Sequence, residues 1–216
     1  MSQSEQQYLT ELRQHASASR ALLSNAQKPE RERMVVRAFL RCIGVPFADQ
    51  EIQASTEEPV DTIFRSARFQ VRDVLRGRRR GKELVDRQRR YEEAQRLSDL
   101  LEPWDSSKPV SFRDVTAEIA QALAEKASRY GSRNCAVLDA LLYVDIKGHH
   151  LFPLEFRLDD ETAAKIALQG WRSVSFLFLP YGVVLTAKPT APEFVRDRLG
   201  EILNQWPHPD GWFDAE

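Results

Sequence analysis

Apolar positions along this 216-residue chain recur at two periods, one helical and one of alternating strand type, and the two are interleaved. Tyr8, Leu9, Leu12, Ala16 and Leu22–Leu23 return near helical spacing, which predicts a first helix over residues 3–25. Lys28-Pro29 opens a second helix with Pro29 in its first turn, Met34, Val35, Ala38, Phe39, Cys42 and Ile43 on a broad apolar face, and Gly44 as its stop. A weak extended segment follows from about Val45 to Ile52. Val60 to Phe64 and Arg68 to Val74 are rich in β-branched and aromatic residues and are separated by a short polar link, so they predict a β-hairpin. Glu83 to Leu101 is amphipathic at helical spacing. Ser111-Phe112-Arg113-Asp114 has the form of a capped helix start, and that helix should end near Gly131.

Ala136 to Ile146 is mostly apolar and fits a strand covered on both faces, with a first half that also suits a helix. A short helix is expected from Asp159 to Gln169. A second hairpin, Val174–Leu179 with Val183–Ala187, should turn at Pro180-Tyr181-Gly182. A last helix is expected from Pro192 to Leu203, before an irregular aromatic tail, Trp206 to Phe213. Strands alternating with helices predict an α/β domain with a mixed central sheet of about five or six strands, flanked by helices.

The first hairpin carries the chemistry. An aromatic pair, Phe64 opposite Phe69, would set Ile63 against Gln70, Thr62 against Val71 and Asp61 against Arg72. Alternation then puts Asp61, Gln70 and Arg72 on one face with Ile63, and Phe64, Phe69 and Val71 on the other. A carboxylate, an amide and a cation over an apolar back form a candidate site, although Asp61 and Arg72 also fit an ordinary cross-strand ion pair. Glu30 and Glu32, in the first turn of the second helix, are explained equally by the helix dipole.

Composition changes this picture little. Hydrophobic residues are 42% and charged residues 29%, as in ordinary globular proteins. Net charge is −1, so attraction to nucleic acid must come from a local patch. One exists: Arg76 to Arg90 holds eight basic residues (Arg76, Arg78, Arg79, Arg80, Lys82, Arg87, Arg89 and Arg90) against two acidic ones. Glycines bracket Arg78, Arg79 and Arg80, which favours a loop whose guanidinium groups reach an anion. Cys42 and Cys135 lie among apolar residues without metal-ligand spacing, as expected of buried thiols in a reducing compartment. The first residues lack a signal-peptide layout, and no apolar run approaches the roughly 20 residues of a membrane span. A cytoplasmic location without membrane contact is expected. Asp145-Ile146-Lys147 reads as a strand-end ion pair, and the adjacent His149 and His150 splay apart too far to make a metal site together. No Gly-rich phosphate loop, Gly-x-Ser-x-Gly elbow or Cys-x-x-Cys pair is present.

The order of a helix with Glu30 and Glu32, a strand with Pro59-Val60-Asp61, a strand with Gln70-Val71-Arg72, then helix and buried strand resembles the restriction-endonuclease-like superfamily. Its signature is PD-(D/E)xK, and its Mrr-like branch has Gln in place of the second acid. The longer strings Lys28-Pro-Glu-Arg-Glu-Arg-Met-Val-Val-Arg-Ala-Phe-Leu, Val60-Asp-Thr-Ile-Phe-Arg-Ser-Ala-Arg-Phe-Gln-Val-Arg and Gly77-Arg-Arg-Arg-Gly are similar to an uncharacterised bacterial family labelled endonuclease. The resemblance implies a restriction-endonuclease-like fold and hydrolysis of DNA phosphodiester bonds by an endodeoxyribonuclease that uses Mg²⁺ or Mn²⁺. It implies one domain over residues 1–216: an N-terminal helix 3–25, a core of about 28–187 with a helical insertion 80–101, and a C-terminal helix and tail 190–216. Asp61 would be the principal metal ligand, with Glu32 a second acid, Gln70 in the place of the other acid and the Val71 carbonyl a further donor. Arg76, Arg78, Arg79, Arg80 and Lys82 would contact phosphates of DNA, and a homodimer fits this class.

Arg72 stands where the pattern has Lys. Arginine stays charged and cannot act as a base, but it can steady a negative transition state. A descendant of this fold that binds nucleic acid without cutting it is a further expectation, and a catalytically inactive nuclease fold serving as a protein-interaction module is the competing one. A small-molecule enzyme with a pocket beside His149 and His150 is a third.

Overall fold

The computed structural model describes residues 3–76, 80–101, 107–151 and 158–204, apart from the side chain of Arg80. The expectations placed on Arg78, Arg79 and the aromatic tail fall outside these residues. Helix α1 spans Gln3–Leu22, and a 3-10 turn, Asn25–Gln27, leads into α2, Lys28–Cys42. Pro29 lies in the first turn of α2, with Glu30 near its start and Arg41 near its end, as the helix dipole favours. Gly44, at φ 68°, closes the helix, and the chain turns back with the Val45 N–H donating to the Leu40 carbonyl at 2.9 Å.

β1 is Ile52–Ala54, β2 is Thr62–Phe64 and β3 is the ten-residue Ala67–Arg76. The hairpin forms, but its register corrects the expectation. Phe64 faces Ala67, Ile63 faces Arg68 and Thr62 faces Phe69. The turn closes one pair sooner because Arg65 takes a positive φ of 51°, its guanidinium 4.6 Å from the centre of the Phe64 ring. The two aromatics do not seek each other. Phe69 packs edge-on against Phe39 of α2 at 6.3 Å, and Phe64 against Phe47 and Phe194. The partner moves by two residues, so side-chain parity, and with it the division of faces, is unchanged.

α3 spans Arg80–Glu93 and stops short of the expected Leu101. Asp99 accepts from the Gln95 and Arg96 N–H groups, and a separate 3-10 turn forms over Leu97–Leu100. β4 is Lys108–Val110, and α4, Phe112–Tyr130, is capped by the Ser111 hydroxyl, which accepts from the Asp114 N–H. α5 is Ser132–Cys135, β5 is Asp139–Ile146 and β6 is His149–Leu151. α6, Asp160–Leu168, is capped by Asp159, and β7, Ser173–Phe178, and β8, Tyr181–Ala187, form the second hairpin. The expected helix to Leu203 is corrected: α7 is only Glu193–Arg196, and Gly200, at φ 76°, leads into a short strand β9, Ile202–Leu203.

The fold is α/β. Seven strands form one mixed sheet in the order β1-β2-β3-β5-β7-β8-β9, against the five or six expected. Its middle is parallel (β3, β5, β7) and both flanks are antiparallel, while β4 and β6 pair separately. On one face Val36, Phe39 and Leu40 of α2, with Ile43 just past its end, pack with Phe64, Phe69, Val71, Leu141 and Val195. On the other, Val115, Ile119 and Leu123 of α4 and Ile166 of α6 pack on Ala140, Leu142, Val174 and Phe176. Each such side chain, fully buried, contributes roughly 1.5–3 kcal/mol. Asp139, fully buried at the start of β5, accepts from both Arg172 nitrogens, from Ser173 Oγ at 2.7 Å and from the Arg68 N–H at 2.9 Å. It thereby ties together the starts of the three parallel strands.

Candidate active site

β3 outruns β2. The Asp61 N–H still donates to the Phe69 carbonyl at 2.9 Å, but past that bond no strand among the described residues lies beside the edge of β3. The Val71 N–H therefore needs another acceptor, and Asp61 Oδ2 takes it at 2.9 Å. Gln70 Nε2 donates to the same oxygen at 2.9 Å and to the Val71 carbonyl at 3.1 Å. The Asp61 backbone is held from the other side, where its carbonyl accepts from the Ser55 N–H. An acid at the entry to a short strand thus sits near the plane of the sheet with one oxygen fully engaged.

Its other oxygen faces α2. Lys28 Nζ lies 3.3 Å from Asp61 Oδ1 and 3.0 Å from Glu32 Oε1, so one ammonium bridges two carboxylates. Glu32 is 8% exposed and Gln70 4% exposed. Burial, and next to it the charge of Asp61, push the Glu32 carboxyl above its usual range although Lys28 opposes this. The Lys28 amine is raised, mainly by its hydrogen bond to Glu32. Two acids with one close cation leave a net negative centre, which disfavours ionisation of the more buried acid.

A cleft of about 330 Å³ opens here, lined by Lys28, Arg31, Glu32, Val71, Arg72 and Lys126 among others. The structure thus brings Glu32, Asp61, Gln70 and Val71 to one spot. Arg72 does not face Asp61. Its guanidinium crosses to Glu125 of α4 while lining the same cleft. Of the expected phosphate contacts, Arg76 pairs with Glu118 at 2.9 Å and Lys82 is exposed. Lys28 and Lys126 were not foreseen. The only sequence sign of Lys28 was its place four residues before Glu32, a spacing common on any helix surface.

Among the described residues, no group of three or more His, Cys, Asp or Glu side chains is arranged to hold a metal. His150 Nδ1 is 3.0 Å from Ser107 Oγ, and His149 Nδ1 is 2.8 Å from the Lys147 carbonyl. At Asp61 the oxygens on offer are those of two carboxylates and the Val71 carbonyl, all hard donors, while Gln70 turns its amide nitrogen, not its oxygen, toward them. Mg²⁺ takes such donors and keeps several waters, so one or two carboxylates are enough. The residues fit the ion.

A family profile described as "Putative endonuclease, protein of unknown function (DUF1780)" matches residues 4–207. The chain belongs to this family. The match includes every described residue of the carboxylate cleft and the whole sheet. No curated protein matches the chain. A solved structure from Pseudomonas aeruginosa strain PAO1, PA4535, is similar over 94% of this chain and 96% of its own, with 28% identity and a TM-score of 0.63. It is described as a protein of unknown function of the monooxygenase superfamily. Among the described residues, no helix of this family member is long and apolar enough to cross a membrane.

Proposed function

We propose that this chain is a divalent-cation-dependent endonuclease of the PD-(D/E)xK kind, acting on DNA phosphodiester bonds in the cytoplasm. The observation that carries this reading is the meeting of Glu32 and Asp61 at the edge of β3 beyond β2, beside a cleft lined by Lys28, Arg31, Arg72 and Lys126 with one further acid, Asp73. The family's endonuclease label supports it. The word monooxygenase attached to the related structure points to different chemistry, but hard oxygen donors beside cations suit a divalent ion and a phosphate.

Glu32 and Asp61 would hold Mg²⁺ or Mn²⁺, with the Val71 carbonyl as a further donor. When bound, the ion supplies a water of lowered pKa and offsets charge on the phosphoryl oxygens. Gln70, expected from sequence as a metal donor, would instead fix the rotamer of Asp61 by donating from its amide nitrogen to Oδ2. Arg72 and Lys126, which line the cleft, would bind the phosphate. Arg72 stays protonated, so it orients and stabilises rather than taking a proton. Arg76 and Lys82, with Arg78, Arg79 and Arg80 between them in sequence, would contact flanking phosphates, giving affinity that falls steeply between about 50 and 200 mM salt.

Incubation of linear and circular DNA with Mg²⁺ or Mn²⁺ tests the proposal. Cleavage by the wild type that is lost with chelator and in Asp61→Asn is expected. Metal-independent cleavage, or equal cleavage by Asp61→Asn, would refute it. The competing module reading draws on Arg72 and Lys28 already being engaged with carboxylates. It predicts that Mn²⁺ leaves the melting temperature unchanged.

A further inference from the structure

Lys28 is bound as a metal ion would be. Its ammonium touches one oxygen of each acid, at 3.0 and 3.3 Å, and among the described residues it is the only cation that forms an ion pair with either. One positive charge leaves the two acids with an excess of one negative charge, which a divalent ion would cover. The Lys28 side chain is 58% exposed at the cleft mouth, on a flexible four-carbon stem that can swing toward solvent. An ammonium and a divalent ion cannot both sit within ion-pair distance of the same two carboxylates without strong mutual repulsion. The stem keeps the displaced ammonium in the cleft lined by Arg72 and Lys126, where the anion expected is phosphate.

We propose that Lys28 is a built-in competitor for the divalent ion of Glu32 and Asp61, and that its displaced ammonium then binds a backbone phosphate of the nucleic acid. The ion and the substrate come from the nuclease reading, on which this inference rests. Lys28 thereby links metal entry to substrate binding. The protein holds its acids together without metal, and the ion's arrival frees a cation for the substrate.

The experiment is calorimetric titration of the full chain with Mn²⁺, in wild type, Lys28→Met, Lys28→Arg, Lys126→Met and Asp61→Asn. Lys28→Met should bind Mn²⁺ on the order of tenfold more tightly, the scale expected when one charge a few ångströms away is removed. Lys28→Arg should restore wild-type affinity to within about threefold. Lys126→Met removes a cleft charge without a bridge and should change affinity by less than about twofold. Lys28→Met within about twofold of wild type, or Lys126→Met tightening as much, overturns the competitor while leaving the metal site standing. Binding that persists in Asp61→Asn, or is absent from every variant, overturns the metal site and this inference with it. For the phosphate, binding of a short DNA duplex is measured against salt with Ca²⁺ in place of Mn²⁺. The slope of log affinity on log salt should be shallower by about one in Lys28→Met. An unchanged slope, or no duplex binding by the wild type, overturns the phosphate half.

Discussion

Two buried acidic centres flank β3, and they are balanced in opposite ways. At its start, Asp139 is closed, with Arg172 giving two donors, Ser173 a third and the Arg68 N–H a fourth, so every lone pair is used and no room is left. At its edge beyond β2, Glu32 and Asp61 are open, two acids sharing one exposed lysine beside a cleft. The first arrangement holds strands together. The second leaves a charge imbalance beside open space. Burial alone does not distinguish the two centres, and the ratio of donors to carboxylates does.

The largest effect that would break this contrast lies at Asp139. Asp139→Ala leaves Arg172 buried without its partner and should cost about 3–5 kcal/mol in urea unfolding. A loss below about 1 kcal/mol would mean that the closed centre is dispensable. Asp61→Asn keeps a side-chain oxygen for the Val71 N–H and should change stability by no more than about 1 kcal/mol. Mn²⁺ should raise the melting temperature of the wild type by mass action, gaining about 1.4 kcal/mol for each tenfold excess over Kd, and should do nothing for Asp61→Asn. An equal shift in both variants would place the ion elsewhere. Glu32→Gln removes one of two crowded, buried charges and should raise the metal-free melting temperature at neutral pH; a fall would show that the Lys28 bridge outweighs the imbalance.

The smallest effect concerns a fourth acid, satisfied and only half-buried. Asp159 caps α6 by accepting from the Thr162 N–H and hydroxyl, which lowers its carboxyl below the ordinary value. Its contribution is present above the unfolded value and lost as pH falls through the lowered folded one. Asp159→Asn should therefore flatten the acid limb of a stability–pH curve while leaving neutral behaviour almost unchanged.

Much of this was legible from the sequence where the signal is local. The faces of α2 and α4 follow from spacing, that of α1 only through Leu9 and Ala16 since Tyr8 is exposed, the Ser111 cap from its motif, and the common face of Asp61 and Gln70 from alternation on a hairpin. What escaped depends on distance or on backbone choice. Asp139 finds Arg172 33 residues later and the Arg68 N–H 71 residues earlier, so no window contains the cluster. The hairpin register turned on Arg65 adopting a conformation usually left to glycine or asparagine. The last helix lost its second half because Val183 and Val184 of β8 offered that segment backbone partners at Ile202 and Leu199. Lys28 was in plain view, but its role appears only when Asp61 arrives beside it.

Gly182 gives α2 a fixed end. A methyl group at that position would come within 2.9 Å of Cys42 Cβ and 3.1 Å of Ile43 Cγ2, so the last turn of the helix rests directly on β8. Lys28 and Glu32 ride on the opposite end, some 15–20 Å along the axis at ~1.5 Å per residue. The helix is thus a lever with its fulcrum at β8, and a bulkier residue there would shift the far end, and the acid it carries, without touching the cleft.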